Sequence, residues 1–287
     1  MTDFPTDLER LILRYDAFVF DLWGVMHDGA TAYPSALAAM QRLHAHNKRI
    51  GVISNSPRLA AAAQENIAQK FGILPDYYDV LLTSGQVAYE ALRERSDPWL
   101  QKIGTRCIMI GPEHEVIPYL SLGLHWVDTP EEAEFVFCSG LQPGLKKIAD
   151  YQPMLEAWHK ANLPLLCVNP DRHVMQGKEL MLAGGGIGAA YKAMGGDVYE
   201  QTGKPYPAIF QKMSAALGVA PEQTLMIGDN LQTDIAGAVA AGMGTLWVVQ
   251  GVHGPELAMK GWSSQGQLRD YVKLQGLDVQ YIMPRLQ

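Results

Sequence analysis

Residues 17–24, AFVFDLWG, form a near-continuous apolar run that stops at a carboxylate and a glycine. A strand carries apolar side chains on both faces only where both faces are covered, so this run predicts a central strand of a parallel sheet. Parallel neighbours need a crossover helix between them, and the chain supplies one. PSALAAMQRLHAHN (34–47) has Pro at its start and apolar residues at helical spacing. RIGVISNS (49–56) reads as the second strand and PRLAAAAQENIAQKFG (57–72) as the second helix. The alternation returns late, with TLMIGDN (224–230) a strand, TDIAGAVAAGM (233–243) a helix and TLWVVQG (245–251) a strand. QYIMPRL (280–286) closes the series as a short strand. Alternation of this kind predicts an α/β protein built on a Rossmann-type parallel sheet.

The middle of the chain repeats the alternation with different chemistry. RCIMIG (106–111), EFVFCSG (134–140) and LPLLCVNP (163–170) read as strands with helices between them, and none ends on the acidic residues seen outside this stretch. The expectation is an inserted αβ unit over residues 85–200, with residues 1–84 and 201–287 forming the surrounding core. The 287 residues leave room for both.

Composition removes several classes of function. With 23 basic and 30 acidic residues the net charge is −7, and no basic tract offsets it, which argues against nucleic-acid or anionic-membrane binding. No apolar run approaches the ~20 residues that span a bilayer. The start, MTDFPTDLER, is acidic and lacks the apolar stretch of a signal peptide. Cys107, Cys138 and Cys167 lie far apart and form neither a CxxC knuckle nor a disulfide framework, so a cytoplasmic location is expected.

The chemistry collects at strand ends. Asp21 ends the first strand, where open α/β sheets place their ligands, and Gly24 and Gly29 let the following loop approach closely. The second strand ends in Ser54-Asn55-Ser56, whose hydroxyl and free amides ahead of a helix suit an oxyanion or phosphate. GDNLQTD (228–234) sets Asp229 directly after a strand and Asp234 about a helical turn on, a pair able to hold a hard divalent cation. Thr202-Gly203-Lys204-Pro205 places a lysine in a turn ahead of the helix PAIFQKMSAALG (207–218). Each signal alone has a plainer reading: a cap, a turn, a first-turn acid, a solvated lysine.

Taken in order, the four segments FDLWGVMHDG (20–29), VISNS (52–56), TGKP (202–205) and IGDNLQTDIAGAVAAG (227–242) resemble the motifs of the haloacid dehalogenase superfamily of aspartate-nucleophile phosphotransferases. The insertion between the second and third motifs resembles the αβ cap of the class II-A branch, the NagD-like sugar and nucleotide phosphatases. CVNPD (167–171) is similar to a cap strand-loop of that branch. The resemblance implies a Mg2+-dependent phosphatase for a small phosphorylated metabolite, with Asp21 attacking the phosphoryl group to form an aspartyl-phosphate. It implies Mg2+ between Asp21, the backbone carbonyl of Trp23 and Asp229, with Asp234 supporting the metal shell or Lys204. Ser54 and the Asn55 amide would hold phosphoryl oxygens, and Lys204 would neutralise charge. Asn169, Asp171 and Arg172 would face the rest of the substrate from the cap, unless the segment is only an Asn-Pro-Asp turn. Relatives of this class often pair through their caps, so a homodimer is expected.

One position departs from the pattern. The first motif of a typical superfamily phosphatase is DxD, whose second Asp protonates the leaving group and then activates water; here that residue is Trp23. Such a group is typically worth ~10²–10⁴-fold, roughly 3–5 kcal/mol of barrier. Three readings follow. His27 or Asp28 substitutes as the acid, the substrate has a leaving group that needs no proton, or the chain is a catalytically weakened phospho-ligand binding or regulatory protein. A fingerprint for dinucleotides, Gly184-x-Gly186-x-x-Ala189, is present in AGGGIGAAY, but lacks the preceding strand and the following acid that such a site needs. It reads better as a tight turn opening a helix beside the substrate pocket.

Overall fold

The computed structural model describes residues 2–176 and 179–286. Thirteen strands follow one another along these residues. They are β1 (Ala17–Asp21), β2 (Arg49–Ser54), β3 (Val80–Thr83), β4 (Arg106–Ile110), β5 (His125–Trp126), β6 (Phe135–Cys138) and β7 (Leu165–Cys167). After them come β8 (His173–Gln176), β9 (Glu179–Leu182), β10 (Val198–Tyr199), β11 (Thr224–Gly228), β12 (Gly244–Val248) and β13 (Tyr281–Met283).

A six-stranded sheet runs β13-β12-β11-β1-β2-β3 and is parallel throughout. The chain winds outward from β1 to β3, then starts again at β11 on the other side of β1. The strand order therefore reverses between β1 and β11, the place where such sheets open a crevice at their carboxyl ends. Alternation within β1 explains its apolar run. Phe18 and Phe20 pack on one face with Ala36, Met40 and Leu43 of the helix Pro34–Ala45, while Ala17 and Val19 pack on the other with Ile209, Phe210 and Met213 of the helix Pro207–Leu217.

A second parallel sheet, β10-β7-β6-β4-β5, is formed within residues 106–199. One face packs on Ala88 and Leu92 of the helix Ser84–Glu94. The other packs on Tyr151, Leu155 and Trp158 of Ile148–Lys160 and on Ile187 and Tyr191 of Gly184–Ala193. The antiparallel pair β8–β9 stands apart from both sheets.

Several boundaries differ from the sequence reading. The first strand ends at Asp21, because the Met26 and His27 amides turn back onto the Leu22 carbonyl and take residues 22–24 out of the ladder. The second helix begins at Ala60 rather than 57. Residues 231–235 form a wide π turn before the helix Ala236–Ala240. β3, β5, β10 and the β8–β9 pair go beyond the strands read from sequence, each being four residues or fewer.

The helix Ser84–Glu94 is bolted to the loop after β2. Ser84 Oγ donates to the carbonyls of Asn55 at 2.8 Å and Ser56 at 3.0 Å, and a Cβ on Gly85 would fall on the backbone of Pro57 and Arg58. Alanine in a helix normally gains about 0.5–1 kcal/mol over glycine. Gly85→Ala should instead destabilise the fold by about 1–3 kcal/mol through overpacking against backbone, read as a lowered urea midpoint.

Candidate active site

The site is assembled where β1, β2 and β11 end. Asp21 is the last residue of β1 and only 6% exposed. The chain after it closes a small loop in which the Gly24 amide donates to the His27 carbonyl at 2.8 Å. Gly24 has φ +96°, and a Cβ there would strike the carboxylate of Asp229. Backbone conformation and the approach of Asp229 both demand glycine at this point.

Lys204 reaches the same place from a distant turn. The Asn55 side chain clamps its backbone: Asn55 Oδ1 accepts from the Lys204 amide at 2.7 Å, and Asn55 Nδ2 donates to the Lys204 carbonyl at 3.0 Å. Held so, Lys204 pairs through Nζ with Asp21 and with Asp234, the latter at 2.6 Å. All of these side chains are buried, Asn55 and Lys204 at 2% exposure. Ser54, also buried, stands at the end of β2 with Oγ accepting from the Ser56 amide at 3.2 Å.

Asp229 and Asp234 come from the turn after β11. Asp229 Oδ2 accepts from the Val252 amide at 2.6 Å, and its carbonyl accepts from the indole of Trp247 at 2.9 Å. Asp234 Oδ2 accepts from the Asn230 amide at 3.0 Å while Oδ1 faces Lys204. Both of its oxygens are thus engaged, and its direct contact is with the lysine. Asp21, Asp229 and Asp234 bring carboxylate oxygens within 4.8 Å of one another.

Three buried carboxylates around one ammonium leave two negative charges unmatched, which burial makes costly. Burial pushes the Asp21 carboxyl up to about 8 against the pull of Lys204, and it pushes Asp229 well up. Burial alone would lower the Lys204 pKa, but Asp21, Asp234 and Asp171 outweigh it and hold the ammonium charged. Among the described residues no hydrogen bond engages Asp21 Oδ2 or Asp229 Oδ1. A hard oxygen donor set with uncompensated negative charge fits a divalent cation.

Above this cluster lies a cavity of about 600 Å³ between the two sheets' units. Its walls include Trp23, Ser54, Asn55, Arg58 and Lys70 from one side and Glu115, Ser139, Asn169, Asp171 and Gly184 from the other. Asn169 Oδ1 accepts from the Asp171 amide at 3.0 Å, and Asp171 Oδ1 accepts from Asn55 Nδ2 at 2.8 Å. Arg172 is not with them. It is exposed and lines a neighbouring cleft with Glu200 and Tyr206. The glycine cluster opens the helix Gly184–Ala193 beside the cavity, and a Cβ on Gly185 would meet the carbonyls of Pro170 and Asp171. Its glycines admit the Asn169–Asp171 loop. The strand before it, β9, belongs to an antiparallel pair, so the βαβ setting of a dinucleotide fingerprint is not formed there.

Trp23 lines the cavity, and its Nε1 is buried with no hydrogen-bond partner among the described residues. The two expected substitutes for it are committed elsewhere. His27 stacks on Phe71 with ring centroids 4.0 Å apart, its Nδ1 accepts from the Gly29 amide at 3.0 Å, and burial lowers its pKa to about 4. Asp28 folds back on the Thr31 and Ala30 amides at 2.7 and 2.9 Å, which hold it below the usual carboxylate range, and it does not line the cavity.

Comparisons with known proteins agree on a hydrolase family. The family model for haloacid dehalogenase-like hydrolases matches residues 18–124, and a second model of the same kind matches residues 201–272. A haloacid dehalogenase-like hydrolase from Brucella suis 1330 is 30% identical, with a TM-score of 0.82 over 99% of this chain and 100% of that one. The chain belongs to the haloacid dehalogenase-like hydrolase family. Human glycerol-3-phosphate phosphatase is 26% identical over 271 residues, 85% of this chain and 82% of that protein. NagD from E. coli K-12 shares the fold at 22% identity and a TM-score of 0.66, over 94% and 96% of the two chains.

Glu115 escaped the sequence reading because nothing local marks it: it sits in the single turn Glu113–Val116 after β4. Its side chain is 12% exposed, Oε2 has no partner among the described residues, and burial pushes its pKa from 4.5 up to about 7. Between those values the folded protein keeps a proton that the unfolded chain releases, so this group's stabilising contribution is lost as pH rises through that window. Glu115→Gln should leave stability unchanged below pH ~4 and raise it by on the order of 2 kcal/mol at pH ~8, read from denaturant melts at the two pH values.

Proposed function

We propose that this enzyme, a phosphoric monoester hydrolase of the haloacid dehalogenase-like family, is a Mg2+-dependent phosphatase that cleaves a small phosphorylated metabolite through an aspartyl-phosphate on Asp21. The observation that carries the proposal is the buried Asp21–Lys204–Asp234 contact at the reversal point of the sheet, under a cavity sized for a small ligand. Relatives named as phosphatases, glycerol-3-phosphate phosphatase among them, support it.

Each residue has a task that its surroundings suit. Asp21 keeps Oδ1 on Lys204 and leaves Oδ2 to attack phosphorus. The Ser54 hydroxyl and the Asn55 amide stand at the end of the neighbouring strand to take phosphoryl oxygens, while Asn55's side chain fixes Lys204. Lys204 meets the negative charge of the transferring group, and Asp234 keeps it aimed. Asp21, Asp229 and the backbone carbonyl of Trp23 would hold Mg2+, with Asp234 beside it, and the ion would offset charge on the phosphoryl oxygens. Residues 85–200 act as the cap, and Asn169 and Asp171 border the substrate's remaining part. A homodimer and a cytoplasmic location belong to the same reading. Among the described residues no helix is long and apolar enough to cross a membrane.

Trp23 favours a second reading, a phospho-ligand binding or regulatory protein, because an indole neither supplies nor removes a proton. A panel of phosphorylated metabolites, assayed with and without Mg2+, separates the two. The phosphatase reading predicts Mg2+-dependent phosphate release that Asp21→Asn lowers by ~10³-fold or more. Inactivity across the panel together with a phosphate-dependent rise in melting temperature would establish the binding protein instead.

A further inference from the structure

Resting on the phosphatase reading, we propose that Asp171, carried in by the cap, is the general acid and base that the first motif lacks at Trp23. Most of the other titratable groups lining the cavity are engaged elsewhere. Asp234 has both oxygens occupied by the Asn230 amide and Lys204. Asp229 is wedged where side chains on Gly24 or Gly251 would lie and is held by the Val252 amide. His27 is locked against Phe71 and Gly29. Glu115 feels Arg58 and Ser139 rather than the carboxylate cluster, and His173 is exposed on β8.

Asp171 differs from all of these. Its Oδ1 accepts from Asn55 Nδ2, and Asn55 in turn clamps the backbone of Lys204, whose ammonium holds Asp21. A chain of contacts, Asp171–Asn55–Lys204–Asp21, links the cap carboxyl to the nucleophile. Among the described residues no hydrogen bond engages Oδ2, and Asp171 lines the cavity. The loop that bears Asp171 is fixed on three sides. Asn169 Oδ1 takes its amide, Gly185 admits its carbonyl, and a side chain on Gly203 would collide with Pro170. Rigid support of this kind is what a catalytic acid requires. Burial raises its pKa above the ordinary carboxylate value, Lys204 and Asn55 draw it down, and Asp234 adds to the rise.

The chemistry balances without any further reactant. Asp21 Oδ2 bonds to phosphorus as the ester P–O bond breaks, and the Asp171 proton passes to the departing alcohol oxygen. Water then bonds to phosphorus as the Asp21–phosphorus link breaks, and its proton returns to Asp171. The products are alcohol and inorganic phosphate.

The test compares an alkyl phosphate, glycerol phosphate, with an aryl phosphate, 4-nitrophenyl phosphate, whose leaving group departs without a proton. Asp171→Asn should cut alkyl turnover by ~10²-fold or more while the aryl ester still phosphorylates Asp21. Because the second step then lacks its base, the aryl reaction should show a burst of nitrophenolate equal to the enzyme, followed by a slow steady state. Asp171→Glu keeps an acid and should retain much of the wild-type alkyl-to-aryl rate ratio, a check that survives even if the Asn variant folds poorly. Equal losses on both esters with no burst, or no loss on the alkyl ester, would overturn the assignment. Inactivity of the wild type on both esters would strike instead at the phosphatase reading beneath it.

Discussion

The buried ammonium of Lys204 holds this site together. Three carboxylates cannot share a pocket at 6% exposure or less without a counter-charge, since each would otherwise protonate or swing toward water. Lys204 supplies one charge and Asn55 fixes where it stands. The parts joined by this contact are remote in sequence: Asp21 and Lys204 are 183 residues apart, with the whole second sheet between them. The chain must therefore return from that sheet to the same strand ends.

That requirement explains features that look incidental one by one. Gly24 and Gly251 leave the hollow in which Asp229 lies, and Gly228 has no side chain where Asp234 packs. Gly203 and Gly185 let the Lys204 turn and the helix Gly184–Ala193 close on the Asn169–Asp171 loop from two directions. Trp247 supports the carbonyl of Asp229 from below. Packing and polar satisfaction are resolved together here, leaving few degrees of freedom to the reacting groups.

Much of this was legible in the sequence, for physical reasons. A strand covered on both faces must be apolar along its length, so β1, β2, β11 and β12 announced themselves, and the acidic or hydroxyl residues ending three of the runs pointed to one edge of one sheet. β3, β5 and β10 are short edge or near-edge strands whose few residues carry too little period to read. Lys204 could be placed in a turn, but its partners depend on long-range closure that no local pattern encodes. The Asn169–Arg172 segment was read as one wall. In the loop between β7 and β8, Asn169 and Asp171 line the cavity and Arg172 the neighbouring cleft. From sequence His27 and Asp28 read as available acids, but their bonds to Gly29, Ala30 and Thr31 commit both elsewhere.

The proposed function rests on covalent phosphorylation of Asp21 beside Lys204. Its most direct test is an acid quench of the enzyme turning over 4-nitrophenyl phosphate with Mg2+, followed by peptide mapping by mass spectrometry. The expected result is one phosphoryl group on the peptide containing Asp21, lost on brief base treatment as an acyl phosphate would be. Phosphate release with no covalent label, or a label on another residue, would contradict it.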